Sequence, residues 1–182
     1  MNSQKNTTNI LDEEIIIVVD EENKNPRKVS RTLVATQRLL HRSALIYVFN
    51  SRGQFFLQKR VAHKQAYPNH WDCSCAGAVN WQESYLQCAV RELEEELGIH
   101  VKLTDLKTIG EPFRVTTDQT DEFDQLFYCL SDETMTLQAS EVAEGAWVNP
   151  SEIPNFLITQ TVTPWFIKSW EIGQFTIFPP KD

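Results

Sequence analysis

Residues 77–99 read GAVNWQESYLQCAVRELEEELGI and leave the chain few ways to fold. At about 100° per residue, Leu86, Ala89, Val90, Leu93 and Leu97 line up as one apolar stripe, the pattern of a helix packed on a core. Glu92, Glu95 and Glu96 share a separate sector of roughly 100°, and Glu94 falls between the two faces, in solvent. Ser84 suits the N-cap and Gly98 is the residue type found just past a helix C-terminus, which bounds the helix at ~13 residues. Surface helices usually intersperse lysine with glutamate at i,i+4, but no lysine lies between Glu83 and His100. Arg91 is the one basic residue there, placed to bridge the carboxylates. Glu83, Glu92, Glu95 and Glu96 repel one another at such spacing, and a divalent cation bound by hard oxygen ligands offsets that cost. A plain charged surface helix is the alternative, and the missing lysines count against it.

These residues match a family motif. Gly77, then Glu83, then Arg91-Glu92-Leu93-Glu94-Glu95-Glu96-Leu97-Gly98-Ile99 resembles the Nudix box, with every fixed position filled. The resemblance implies an α/β (α+β) Nudix fold, a mixed β-sheet sandwiched between helices, with the box as a loop–helix–loop. It implies hydrolysis of a diphosphate linked to a second moiety, a nucleoside diphosphate derivative or a similar small molecule. Glu92, Glu95 and Glu96 would hold Mg2+ or Mn2+, with the carbonyl of Gly77 as a further ligand. Breaking a P–O bond requires neutralisation of the non-bridging oxygens, which such a cation supplies, while a free carboxylate can take a proton from the attacking water. Arg91 and Glu83 take supporting places. For Glu83, pairing with Arg91 and direct contact with the metal both stay open, and no single glutamate is assigned as the base.

A longer likeness narrows the branch. Residues 41–71, HRSALIYVFNSRGQFFLQKRVAHKQAYPNHW, with Phe113-Arg114 and Thr163-Pro164-Trp165, resemble isopentenyl-diphosphate isomerases and the Nudix hydrolases nearest to them. Isomerases place a catalytic cysteine just before the first glycine of the box and a metal-binding histidine just after it. Ala76 and Ala78 stand there instead, and Cys75 is one residue off, where a strand turns its side chain to the opposite face. A hydrolase is therefore favoured over an isomerase, and a non-catalytic Nudix ligand-binding or protein-binding module ranks last because every box glutamate is present. Arg60 and Lys64 match basic residues that contact diphosphate in this branch. His41 matches an isomerase metal ligand, though a buried hydrogen-bonding role serves equally well. Glu122 and Asp124 could add a carboxylate to the metal cluster. Trp81, inside the box loop, is a candidate to stack on the substrate.

Composition agrees. A chain of 182 residues with 41% hydrophobic content fits one domain over residues 13–178, behind a disordered tail at residues 1–12. A net charge of −8 argues against a nucleic-acid polymer as partner but not against a small diphosphate, because a bound cation inverts the local field. No apolar run reaches the ~20 residues of a membrane span, and residues 1–9 lack the apolar core of a signal peptide. Cys73 and Cys75 with His70 lack the second ligand pair of a zinc site. With Cys88 and Cys129 they read as buried free thiols, which implies a reducing, cytoplasmic setting.

Strands are expected over 13–19, 44–49, 54–60, 71–76, 106–115, 125–130 and 145–148, and a helix from Pro164 to about residue 172. Residues 28–32 would return on the first strand as an N-terminal hairpin extension, 36–40 are ambiguous, and 149–153 form a turn and a short helical segment. The strand at 15–19 is a candidate exposed edge that could pair two subunits as a homodimer.

Overall fold

The computed structural model describes residues 13–177, so the tail expected over 1–12 and the domain's last residue, 178, lie outside the described residues. The N-terminal hairpin forms as β1 (Ile15–Val18) and β2 (Arg27–Ser30), paired antiparallel with Ile16 opposite Val29. The chain then turns into α1 (Arg31–Gln37), capped by the Ser30 hydroxyl, which accepts from Leu33 N. Residues 31–37, only partly suspected of order in the sequence, are thus helical. The helix stops at Arg38, whose φ of 49° and ψ of 49° are left-handed.

The sheet is organised around β3 (His41–Phe49). On one side β8 (Asp121–Leu130) runs parallel to it, from His41 opposite Glu122 to Phe49 opposite Leu130. On the other side three strands share its length. β1 meets it at His41, β6 (Cys75–Ala78) pairs over Ser43–Ile46, and β4 (Phe55–Arg60) joins only at Phe49. β7 (Lys107–Thr116) extends the β8 side, while β5 (Trp71–Asp72) and β9 (Val142–Val148) flank β4.

β3 and β4 diverge beyond Phe49, and Ser74 fills the gap. Its hydroxyl accepts from Val48 N at 2.8 Å and donates to Phe56 O at 2.6 Å, so one side chain stands in for two ladder bonds. This is why the single strand expected over 71–76 is two short ones. The strand expected over 125–130 starts earlier, at Asp121, which places Glu122 and Asp124 inside it. β1 lies between β2 and β3, so the expected exposed edge is not one; β2 is outermost there.

Alternation along β3 separates two apolar layers. Ala44, Ile46 and Val48 join Cys88, Ala89, Leu93 and Leu97 of α2 (Tyr85–Leu97) on one face. Leu45, Tyr47 and Phe49 pack on the other with Trp165, Phe166 and Trp170 of α4 (Pro164–Ile177). A short helix, α3 (Ile153–Thr159), adds Ile153 to that second layer. The fold is a mixed sheet between helices, of the α+β class. No helix among the described residues is long and apolar enough to cross a membrane.

The hairpin is clamped at its turn. Arg42 donates from Nε to Asn23 Oδ1 and from Nη2 to Asn23 O, each at 2.8 Å, and Arg114 pairs with Glu21 and Asp121. Hydrogen bonds from a charged donor contribute about 1.5–3 kcal/mol each. Replacing Arg42 with alanine should therefore speed amide hydrogen exchange across β1 and β2 while leaving α2 protected, as mass spectrometry of the exchanging protein would show.

Candidate active site

The acidic face of α2 opens onto a cavity of about 840 Å³. Its floor is the His41, Ser43 and Leu45 face of β3 with Ala76 and Ala78 of β6. One wall is α2 and another is α1. The turn after β4, the β7–β8 turn, the loop before β9 and the start of α4 close the rest.

Local sequence explains how α2 is aimed. Ser84 and Gln87 form a reciprocal capping box, and Gly98 ends the helix at φ 66°. Glu92 and Glu96 are buried, whereas the Glu95 side chain is about half exposed. Arg91 ties the cluster together: Nε and Nη2 donate to Glu83 at 2.8 and 2.9 Å, and Nη1 donates to Glu92 at 2.5 Å and to Glu95 at 3.0 Å. Nη2 also donates to Ala78 O at 3.1 Å, locking helix to strand. Glu96 accepts from Gln58 Nε2 at 2.9 Å.

Gly77 is where the Glu92 carboxylate crosses the strand. A Cβ on residue 77 would fall 1.9 Å from Glu92 Oε1, so only glycine admits this approach. The Gly77 carbonyl accepts from Ser43 Oγ at 3.1 Å.

Burial raises the carboxyl pKa values, and proximity adds to it. Burial, then the charge of Glu96, lifts Glu92 to about 7 against the pull of Arg91. Glu96 is raised by burial, which the hydrogen bond from Gln58 only partly offsets. On β8, burial and then Asp72 push Glu122 to about 8, and burial and then Glu122 hold Asp124 well above the carboxylate range. Burial also opposes ionisation of Glu83, yet its bonds from Arg91 and Asn80 N hold it below the usual range.

Adjacent buried carboxylates with hard oxygens and raised pKa values suit a divalent cation. Glu92 and Glu96 are such a pair, and the half-exposed carboxylate of Glu95 lies beside them. Among the described residues no three His, Cys, Asp or Glu side chains stand at ligand spacing, and Arg91 bridges Glu92 and Glu95.

The cavity brings Glu92, Glu95, Glu96, Arg91, Gly77, Arg60 and Lys64 together. Lys64 pairs with Glu141 and Arg60 approaches Asp72 at 3.5 Å. Glu83 lies outside the lining, on Arg91. Trp81 lies outside the lining too: its backbone N–H donates to Ile15 O at 2.7 Å, which pins the box loop to β1, and its side chain is exposed. His41 contacts Leu39 O at 3.0 Å through Nδ1 and stands 3.6 Å from Glu122 through Nε2, and burial lowers its pKa. Asp124 lies outside the cavity lining, and Glu122 within it. Cys75 is fully buried in the α2 layer, opposite the cavity face that Ala76 and Ala78 occupy.

Gln58, Asp72, Arg31, Arg38 and Glu141 escaped the sequence reading. The alternation of β4 around Gln58 was a usable signal; for the others, residues distant in sequence meet only in the fold.

A NUDIX domain is matched over residues 39–166. The chain belongs to the Nudix family. It is 33% identical over 147 residues to an uncharacterized Nudix hydrolase of Pseudomonas aeruginosa, covering 76% of this chain and 80% of that protein. It is 30% identical over 158 residues to an isopentenyl-diphosphate Delta-isomerase of Serratia proteamaculans, covering 85% and 88%. Among solved Nudix-fold structures, the chain resembles a Deinococcus radiodurans protein with a TM-score of 0.73 at 23% identity, covering 87% and 98% of the two chains. A MutT protein of Methanosarcina mazei gives 0.63 at 22%, covering 78% and 96%. Nudix hydrolases generally cleave pyrophosphate bonds, so the comparisons support a hydrolase.

Two outcomes follow from this Nudix site. Gly77→Ala should displace Glu92 and lower the melting temperature by several degrees, for a loss of order 1–3 kcal/mol. For the raised carboxyls, the folded state binds protons more tightly than the unfolded chain. Their stabilising contribution is present below the unfolded value near 4.5 and is lost as pH rises through about 7 for Glu92 and about 8 for Glu122. In a chelator, thermal melting should therefore fall as pH is raised from 5 to 8.

Proposed function

We propose that this protein hydrolyses a diphosphate linkage in a small molecule, using Mg2+ or Mn2+ held by Glu92, Glu95 and Glu96. The observation that carries the reading is the convergence of these three carboxylates on one cavity with Arg60 and Lys64. Held there, the cation would neutralise the non-bridging oxygens and would lower the pKa of the attacking water. Arg60 and Lys64 hold the diphosphate from the opposite wall. Arg91 keeps Glu92 and Glu95 aligned, Glu83 anchors Arg91, and Gly77 gives Glu92 its path and its carbonyl to the site. A carboxylate oxygen of Glu92, Glu95 or Glu96 that is not on the cation would take the proton of the attacking water.

The Serratia relative raises isomerisation of an isopentenyl diphosphate as the second reading. Against it, the cavity floor carries Ala76 and Ala78, and the two thiols beside them, Cys75 and Cys88, lie outside the cavity lining with their pKa values pushed well up by burial. Four buried, unpaired cysteines fit a reducing, cytoplasmic protein. The Nudix domain of a Shewanella oneidensis NrtR protein has been solved with ADP-ribose, which makes ADP-ribose a sensible member of a substrate panel.

The test is product release from a panel of ADP-ribose, nucleoside diphosphate derivatives and isopentenyl diphosphate with Mg2+. Wild type should release a phosphorylated product, and Glu96→Gln and Glu95→Gln should each lower kcat by about 10-fold to 10³-fold. Double-bond migration without hydrolysis would replace this reading with the isomerase, and no turnover of any kind would remove it.

A further inference from the structure

Arg60 is held in an unusual way. A register shift between Lys59 and Arg60 of β4 accompanies its turn into the cavity. Its Nε and Nη2 donate to Ala66 O at 3.3 and 3.1 Å, and its guanidinium carbon lies 5.3 Å above the Trp165 ring. Its Nη1 stands 3.5 Å from Asp72 Oδ2. Asp72 is fully buried and lies outside the cavity lining, so it has no route to a substrate.

Asp72 is itself fixed by four contacts from three donors. Oδ1 accepts from Cys73 N at 2.8 Å, Thr163 Oγ1 at 3.0 Å and Trp165 Nε1 at 2.8 Å, and Oδ2 accepts from Trp165 Nε1 at 2.9 Å. Among the described residues, its ion-pair partner is Arg60. A buried carboxylate is tolerated when paired and hydrogen-bonded, and here those bonds also fix where the paired guanidinium can sit. The indole that donates to Asp72 is the same one that lies beneath Arg60. One side of the guanidinium meets Asp72, one edge Ala66 and one face Trp165, which leaves its remaining surface for an anion.

We propose that Asp72 is a positioning residue that acts through Arg60, presetting the guanidinium for the substrate's diphosphate and coupling that grip to the docking of α4. This rests on the diphosphate reading above. It makes the start of α4 part of the binding apparatus, although Thr163, just before that helix, lies outside the cavity lining.

A double-mutant cycle tests it, with inorganic pyrophosphate in Ca2+ as the probe and calorimetry as the readout. Asp72→Asn keeps volume and acceptor oxygen but removes charge. Asp72→Asn and Arg60→Ala should each weaken binding by roughly 10-fold or more, and the double variant should bind no more weakly than Arg60→Ala alone. A purely structural Asp72 would instead cost the same factor in both backgrounds, or change melting without changing affinity; either result overturns the proposal. If Asp72→Asn does not fold, Thr163→Val carries the cycle, with a loss of about twofold or more expected only where Arg60 is present. No loss there overturns the proposal as well. Failure of wild type to bind pyrophosphate would bring down the diphosphate reading and this inference together. Binding that is additive across the cycle would bring down this inference alone.

Discussion

The guanidinium of Arg91 is the contact on which the site depends. It reaches Glu83, Glu92, Glu95 and the carbonyl of Ala78, and so joins helix, box loop and strand with one planar group. Without it, like charges on successive turns of α2 would repel and the box loop would lose its anchor on the helix. Arginine suits this place because its fixed fork of donors serves several carboxylates at once, which a lysine ammonium cannot do with the same geometry. The apolar stripe on the other side of α2 then presses the acidic face against the sheet, so packing and electrostatics set the same orientation.

The sheet supplies the space into which that face looks. Because β1, β6 and β4 share one flank of β3 in turn, the sheet splays between β6 and β4, and α2 can extend Glu92 and Glu96 across the gap. Ser74 makes the splay tolerable by satisfying a donor on β3 and an acceptor on β4. The small residues of β6 matter equally: Gly77 admits Glu92 on one face, while Ala76 and Ala78 leave the cavity floor open on the other.

Much of this was legible in the chain. The span, caps and faces of α2 follow from spacing alone, and the strand that became β3 reads as an unbroken apolar run. The family motif then carried the mixed sheet. The unread parts share a cause. Glu141 and Arg31 line the cavity and Asp72 stands behind Arg60 through long-range pairings, and no local pattern shows which turns will meet. The bond from the Trp81 backbone to β1 was equally hidden, because a large aromatic in a loop gives no sign of which strand its backbone will meet. The split of residues 71–76 depended on a hydroxyl bond between two other strands, which periodicity cannot register.

The parallel pairing of β3 with β8 also bears on how the chain comes to be folded. Strand β3 is made early and its full-length neighbour late, with the box helix between them in sequence. During synthesis the α2 layer can therefore collapse on β3 and β6 while the β8 flank stays an unpaired edge. Non-local closure of this kind is slow, and open edges are where nascent chains associate wrongly. The order in which the two sides of one strand are covered thus makes the late arrival of β8 the vulnerable interval in the life of the protein.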